Sequence, residues 1–203
     1  MVKIEQVLNY WFGELNDELA PSEKAALWYQ VSEETDKEIR AQFSSLYQLA
    51  LSGELSHWQQ TARGSLALVI LLDQMSRNMF RGTARAFAAD IKALAFAKAG
   101  IEQGFDRDMS LIERIFYYHP FEHSESLAEQ KRSVELFSGL LDDYREPKHI
   151  DAIENALHWA REHLEIIERF GRFPHRNKLL NRESSDTEVE YLRQANHFGQ
   201  GSN

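Results

Sequence analysis

The stretch that decides the fold is Leu66-Ala-Leu-Val-Ile-Leu-Leu-Asp-Gln-Met-Ser-Arg-Asn-Met-Phe-Arg-Gly82. Its first half, Leu66 to Leu72, is apolar on every side, the pattern of a helix that passes through the middle of a protein. The run is only about a third of a membrane span. The second half changes character. With Asp73 at zero and about 100° per residue, Arg77 falls at about 40°, Arg81 at about 80°, Gln74 at about 100° and Asn78 at about 140°. Polar groups thus fill one arc of the last two turns. A buried helix displays such an arc only where it meets partners or a cavity, because an unpaired buried polar group costs a few kcal/mol. Two readings follow: a structural ion pair of Asp73 with Arg77 at i,i+4, or the lining of a cleft.

Working outward, helical spacing accounts for the rest of the chain. Ile4, Val7, Leu8 and Trp11 give a short amphipathic helix ending near Gly13. Ile39, Phe43, Leu46, Tyr47 and Ala50 give a second, with Thr35-Asp36-Lys37-Glu38 as its capping box. Ser56-His57-Trp58-Gln59 is a similar box and predicts the start of the central helix, which Gly82 would stop. Small residues at Ala86, Ala89, Ala93, Ala97, Gly100 and Gly104 predict close approach of a neighbouring helix. The Leu111, Ile112, Ile115, Phe116 stripe is expected to stop at Pro120. Leu127, Val134, Phe137, Leu141 and Tyr144 share one face of the next helix, and Ile150, Ile153, Leu157, Ala160, Leu164 and Ile167 repeat along another. The short Glu146-Pro147 turn between these two predicts an antiparallel pair. A last capping box, Ser185-Asp186-Thr187-Glu188, opens a terminal helix.

Composition agrees. Ten glycines and four prolines in 203 residues are too few for a turn-dense β-sandwich or barrel. A 43% apolar content is ample for one core, so the body of the chain is not disordered. The absence of cysteine excludes disulfides, thiolate zinc sites and cysteine nucleophiles. We expect one all-α domain of stacked antiparallel helical hairpins over residues 1–198, with 199–203 as a frayed tail. The balance of 23 Lys and Arg against 32 Asp and Glu gives −9 and disfavours nucleic acid. Nothing in MVKIEQVLNYWFGELND reads as a signal peptide, so a cytoplasmic protein is expected, with no membrane contact. Neither a nucleophile elbow nor a phosphate-cradling or dinucleotide-binding glycine motif occurs.

Two further segments put polar residues where packing does not ask for them. Arg169-Phe-Gly-Arg-Phe-Pro-His-Arg-Asn-Lys178, with Arg182 beyond, concentrates cations in an acidic chain. Helix-dipole complementarity covers Arg169 but not Arg172, Arg176 and Asn177, which lie past the stop at Gly171. Guanidinium forks on a turn stiffened by Pro174 suit carboxylate or phosphate recognition. A clamp onto acidic helices and a solvated loop are the alternatives. In His119-Pro-Phe-Glu-His-Ser-Glu125, His119 continues an apolar stripe and reads as a packed histidine. Glu122, His123 and Glu125 precede or start a helix with Ser124 as its N-cap. Pro120 is expected to keep His119 and His123 off a common face, and the spacing is not that of a zinc helix. A zinc site, His123 with Glu125 as a general acid/base pair, and simple capping or core structure are the open readings.

Three blocks, Leu72-Asp-Gln-Met-Ser-Arg-Asn-Met-Phe-Arg-Gly82, His123-Ser-Glu125 and Arg169 to Asn177, together with Trp11-Phe12, resemble the domain of unknown function 924 family over nearly the whole chain. The resemblance implies a bacterial protein with a tetratricopeptide-like all-helical fold and carries no biochemical activity. His119 stands where such sequences more usually have an apolar residue, and Asn181 where they more usually have glycine.

The sequence therefore predicts that the three blocks converge on one cleft for a small anionic ligand, phosphate or carboxylate. Asp73, Gln74, Arg77, Asn78, Arg81, Arg169, Arg172, Arg176 and Asn177 are the candidate binding residues. His123, His175 and Glu125 are the candidate acids and bases; no metal and no cofactor is implied. The rivals are a non-catalytic adaptor that clamps an acidic peptide and a purely structural polar network. A closed pocket would favour a small molecule and an open groove a peptide.

Overall fold

A helix threaded through its own core needs a partner on every side. The computed structural model describes residues 2–193, and in it every residue from Gly64 to Asp73 is buried. The helices are α1 (Val2–Phe12), α2 (Lys24–Tyr29), α3 (Glu33–Ser52), α4 (Ala62–Val69), α5 (Ser76–Met79), α6 (Asp90–Glu102), α7 (Leu111–Glu122), α8 (Leu127–Asp143), α9 (Pro147–Phe170) and α10 (Asp186–Leu192). Short 3₁₀ turns at Ser56–Gln60, Ala84–Phe87, Phe105–Asp108 and Pro174–Arg176 join them. The central helix packs against α1, α3, α6 and α7. No helix among the described residues is long and apolar enough to cross a membrane, and none of these residues forms a β-strand.

The central helix is not regular. Ile70–Met75 forms a π-helical turn between α4 and α5. Such turns cost regular hydrogen bonding and are frequent at functional sites. Asp73 and Gln74 lie within it, so the arc drawn at a uniform 100° per residue is locally displaced. The helix also starts later than predicted. Ser56–Gln60 is 3₁₀, and Thr61 caps α4 by accepting from Gly64 N at 3.1 Å. The α3 cap is likewise Ser32 rather than Thr35, which instead donates its N–H to Ser32 Oγ at 3.2 Å.

The small-residue face of α6 does what its spacing implies. A Cβ built on Gly100 would sit 1.8 Å from Tyr117 Oη, so only glycine lets α6 close onto α7. Ser65 and Tyr117 hydroxyls are 2.6 Å apart at the same contact. Pro120, by contrast, does not end α7. The helix runs on to Glu122, and His123 keeps helical dihedrals while donating its N–H to His119 O at 2.9 Å. Gln130 of α8 fixes this end by donating to the carbonyls of Glu122 and Ser124. The expected N-cap is corrected accordingly: α8 begins after Ser126, and Ser124 Oγ accepts from Ser126 N. Its buried face is Gln130, Ser133, Phe137 and Leu140, whereas Leu127 is exposed.

The α8–α9 hairpin makes the most extensive helix contact in the molecule. Because α7, α8 and α9 fold back in turn, α7 and α9 run side by side in the same direction. Their starting ends share one loop: Leu111 N donates to Glu18 Oε2 at 2.9 Å, and His149 Nε2 lies 2.9 Å from Asp17 O. Their far ends meet where His163 Nδ1 lies 3.3 Å from Glu122 Oε1. Ser185 and Glu188 form the predicted capping box of α10. The predicted tail at 199–203 lies outside the described residues.

Candidate functional site

The ends of the π-turn, α7 and α9 converge with the Pro174–Arg176 turn on one cavity of about 510 Å³. Asp73 lies at its base, fully buried. His123 Nδ1 is 2.8 and 2.9 Å from the two carboxylate oxygens of Asp73. Gln74 Nε2 donates to Asp73 Oδ2 at 2.6 Å and lies 3.2 Å from His119 Nδ1. Arg77 Nη1 approaches Asp73 Oδ1 at 3.2 Å and donates to Asp90 Oδ1 at 3.1 Å. Arg176 Nη1 reaches Asp90 Oδ2 at 3.2 Å, so Asp90 bridges the two guanidiniums. Arg176 is sandwiched between Phe87 and Phe173, 4.5 and 4.4 Å from the ring centres.

The expectation that Pro120 separates His119 from His123 is wrong. Their ring centres are 5.7 Å apart and both line the cavity, because α7 continues one turn past the proline's neighbourhood. The ring of His163 completes the group, 6.2 Å from that of His123.

Burial and the two arginines set the charge state. Burial pushes His119 down to about 3 and His163 down to about 4, with Arg77 and, for His163, Arg176 adding to it. His123 is driven well below the usual imidazole range by burial and then by Arg77. All three are neutral at pH 7. Burial, with Asp73 nearby, raises Glu122 to about 8, so its carboxyl is mostly protonated. Arg176 is lowered to about 10 by burial, against Asp90 and with Arg77. Its Nε is buried and meets no partner in the protein.

The Asp73–His123 contact fixes a tautomer. A carboxylate on Nδ1 holds the proton there, as it does for the histidine of a nucleophile-activating triad, and leaves Nε2 with its lone pair for a guest.

Of the predicted residues, Gln74, Arg77, Arg81, His123, His175 and Arg176 line the cavity, and Asp73 supports it from beneath. The others go elsewhere. Asn78 Nδ2 donates to Asp36 of α3 at 2.9 Å, the same carboxylate that Arg81 Nε holds at 2.6 Å from the cavity wall. Glu125 is not paired with His123. It accepts from Phe173 N at 2.8 Å and from both Arg182 terminal nitrogens at 2.7 and 2.9 Å, which pins the basic turn. Arg172 forms a two-point bridge to Glu188 at 2.7 and 2.8 Å that docks α10. Asn177 donates to Ser184 Oγ at 3.0 Å, and Arg169 lies over Phe170 and Tyr191. The clamp alternative thus describes Arg172, which holds Glu188 of α10, while Arg176 alone of that block's arginines enters the cavity.

Glu122 and His163 were missed as site residues, and His119 was set aside as packing. Their signal was present: His163 interrupts the buried stripe of α9 at Ile153, Ala156, Ala160 and Ile167, where an apolar side chain is the default. No group of three or more His, Asp or Glu among the described residues could hold a metal ion.

Fold and site define an all-helical protein whose core opens onto an arginine-rimmed, histidine-lined cavity. The chain belongs to the DUF924 family of bacterial proteins of unknown function, whose model matches residues 7–196. It is similar to a solved structure, the protein of unknown function ATU0120 from Agrobacterium tumefaciens. That similarity has a TM-score of 0.80 at 35% identity over 96% of this chain and 98% of the other. No curated protein matches the chain. Asn181 has φ of 53°, a region that asparagine is among the few residues to tolerate.

Proposed function

We propose that the cavity binds a small anionic ligand, a carboxylate or phosphate, at its Arg77–Arg176 end. The observation that carries the reading is Arg176: a guanidinium almost wholly buried, lowered toward about 10, with its Nε unpartnered beside the cavity. A lowered guanidinium pKa means that the surrounding carboxylates do not fully balance the positive charge, and an anion beside it restores that balance. A cavity of about 510 Å³ falls in the range of small-molecule sites. This favours a small molecule over the acidic-peptide groove that a tetratricopeptide-like adaptor would present. His123, with Nε2 directed by Asp73, is the base available to such a ligand if a reaction takes place.

The test is a thermal-shift panel of phosphate, monocarboxylates, dicarboxylates, sugar phosphates and acidic peptides, run on the wild type and Arg176→Met. Methionine retains contact with Phe87 and Phe173, and Arg77 remains on Asp90, so the variant is expected to fold. A ligand at about 100 times its dissociation constant stabilises by about 2.7 kcal/mol. We expect a stabilising anion whose effect vanishes in Arg176→Met.

A second reading has its own support. Asp73, Asp90, Arg77 and Arg176 form a continuous ion-pair network, and a satisfied network can serve stability alone. In that case no anion stabilises the wild type, and Arg176→Met lowers its melting temperature strongly.

A further inference from the structure

The cavity is more polar at one end than at the other. It lies along α7 and α9, which run in parallel, and each helix changes character along its length. The earlier turns contribute Ile112, Ile115 and Phe116 from α7 and Ala152 and Ala156 from α9, interrupted by Asn155. The last turns contribute His119, Glu122, His123 and His163. At 1.5 Å per residue, Ile112 and Glu122 are about 15 Å apart. The two gradients point the same way because Glu122 and His163 meet at the far ends. Trp28 extends the apolar end. It is held by its Nε1–H to Trp11 O at 3.1 Å, and its ring centre is 4.7 Å from that of Phe116.

A hydroxyl-rich or doubly charged ligand of this length would leave polar groups unpaired against Ile112, Phe116 and Ala156, each costing a few kcal/mol. We infer that the occupant is an amphipathic monoacid. Its carboxylate sits against Arg176, whose Nε has no partner in the protein, and its aliphatic or aryl tail lies along Ile112, Phe116 and Ala156. This inference rests on the anion reading above and narrows it to one ligand class.

The experiment measures dissociation constants for acetate, butanoate, hexanoate and octanoate, for adipate and hexanol as controls, and for 3-phenylpropanoate as the aryl arm. Burying one methylene is worth about fourfold in affinity, so each two-carbon step is expected to tighten binding about 16-fold until the tail space is filled. Hexanoate is expected to bind at least tenfold tighter than adipate or hexanol. A 3-phenylpropanoate affinity above that of hexanoate assigns an aryl tail, and one below it an alkyl tail. Ala152→Leu and Ala156→Leu, each filling the tail space, are expected to flatten the chain-length series while leaving acetate binding in place. Acetate binding as tightly as octanoate, with both lost in Arg176→Met, overturns the amphipathic ligand and leaves the anion reading standing. Chain-length dependence that hexanol shares and Arg176→Met does not alter overturns the anion reading, and the acid head with it. No binding by any member overturns the amphipathic ligand, and phosphate that also fails to bind overturns the anion reading.

Discussion

His123 Nδ1 lies within 2.9 Å of both carboxylate oxygens of Asp73, a fully buried residue fifty positions earlier in the chain. The contact joins two local irregularities: a π-turn that carries Asp73 and a helix end that continues past a proline to carry His123. Neither backbone choice is the cheapest available, and together they bring one imidazole to the cavity wall.

That geometry predicts a single tautomer. Nitrogen NMR of His123 should show the proton on Nδ1 and the lone pair on Nε2, unchanged from pH 8 to pH 6.5, because burial and Arg77 hold the ring neutral. Asp73→Asn replaces the acceptor with a group that can also donate. It should release the preference, giving a mixed or inverted tautomer.

Glu122 predicts how stability depends on pH. Its carboxyl is raised from 4.5 to about 8 in the folded protein, so the folded state keeps a proton that the unfolded state has lost between these values. The stability it contributes is full below 4.5 and is lost as pH rises through 8. Histidines act in the opposite sense: with His119 near 3 and His163 near 4, stability is full above 6.5 and lost as pH falls toward those values. Between pH 6.5 and 8 the histidines of the unfolded chain still release protons, so the glutamate effect is read as the difference between the wild type and Glu122→Gln. Relative to Glu122→Gln, the wild type should lose about 1.5 kcal/mol across this window, or about 3–6 °C of melting temperature.

Two glycines in helices predict opposite outcomes. Gly100→Ala places a methyl group 1.8 Å from Tyr117 Oη and forces α6 off α7, so we expect a loss of about 2–4 kcal/mol in denaturant unfolding. Gly139→Ala, with nothing within 4 Å, should gain about 0.5–1 kcal/mol from helix propensity alone.

Arg172→Ala should free α10 without touching the cavity. Removing the two-point bridge to Glu188 is expected to speed amide exchange in Asp186–Leu192 and leave ligand affinity within twofold of the wild type.

Much of this was legible in the sequence because it depends on side-chain spacing. The apolar run at 66–72 had to be a core helix, the glycine and alanine ladder of α6 had to be a close contact, and Ser185 to Glu188 had to be a cap. Spacing could also mark Asp73, Arg77 and Arg176 as misplaced in a core. It could not show which arginine of the basic block turns inward. Arg172 and Arg176 differ by one helical turn's separation, and the choice depends on Glu188 and Asp90, both distant in sequence. The π-turn was invisible because no residue type enforces it. Pro120 misled because proline forfeits only one hydrogen bond, and α8, through Gln130, anchors the helix end beyond it. Reading the proline as a stop split His119 from His123 and hid Glu122 between them.

The most direct test is calorimetric titration of the wild type, Arg176→Met and Arg172→Ala with hexanoate and with phosphate. Each variant removes one guanidinium from the same nine-residue block, one inside the cavity and one outside it. The account predicts one site per chain for at least one of these anions, lost or weakened at least tenfold in Arg176→Met and retained in Arg172→Ala. Equal weakening in both variants, or undiminished binding in Arg176→Met, would contradict it.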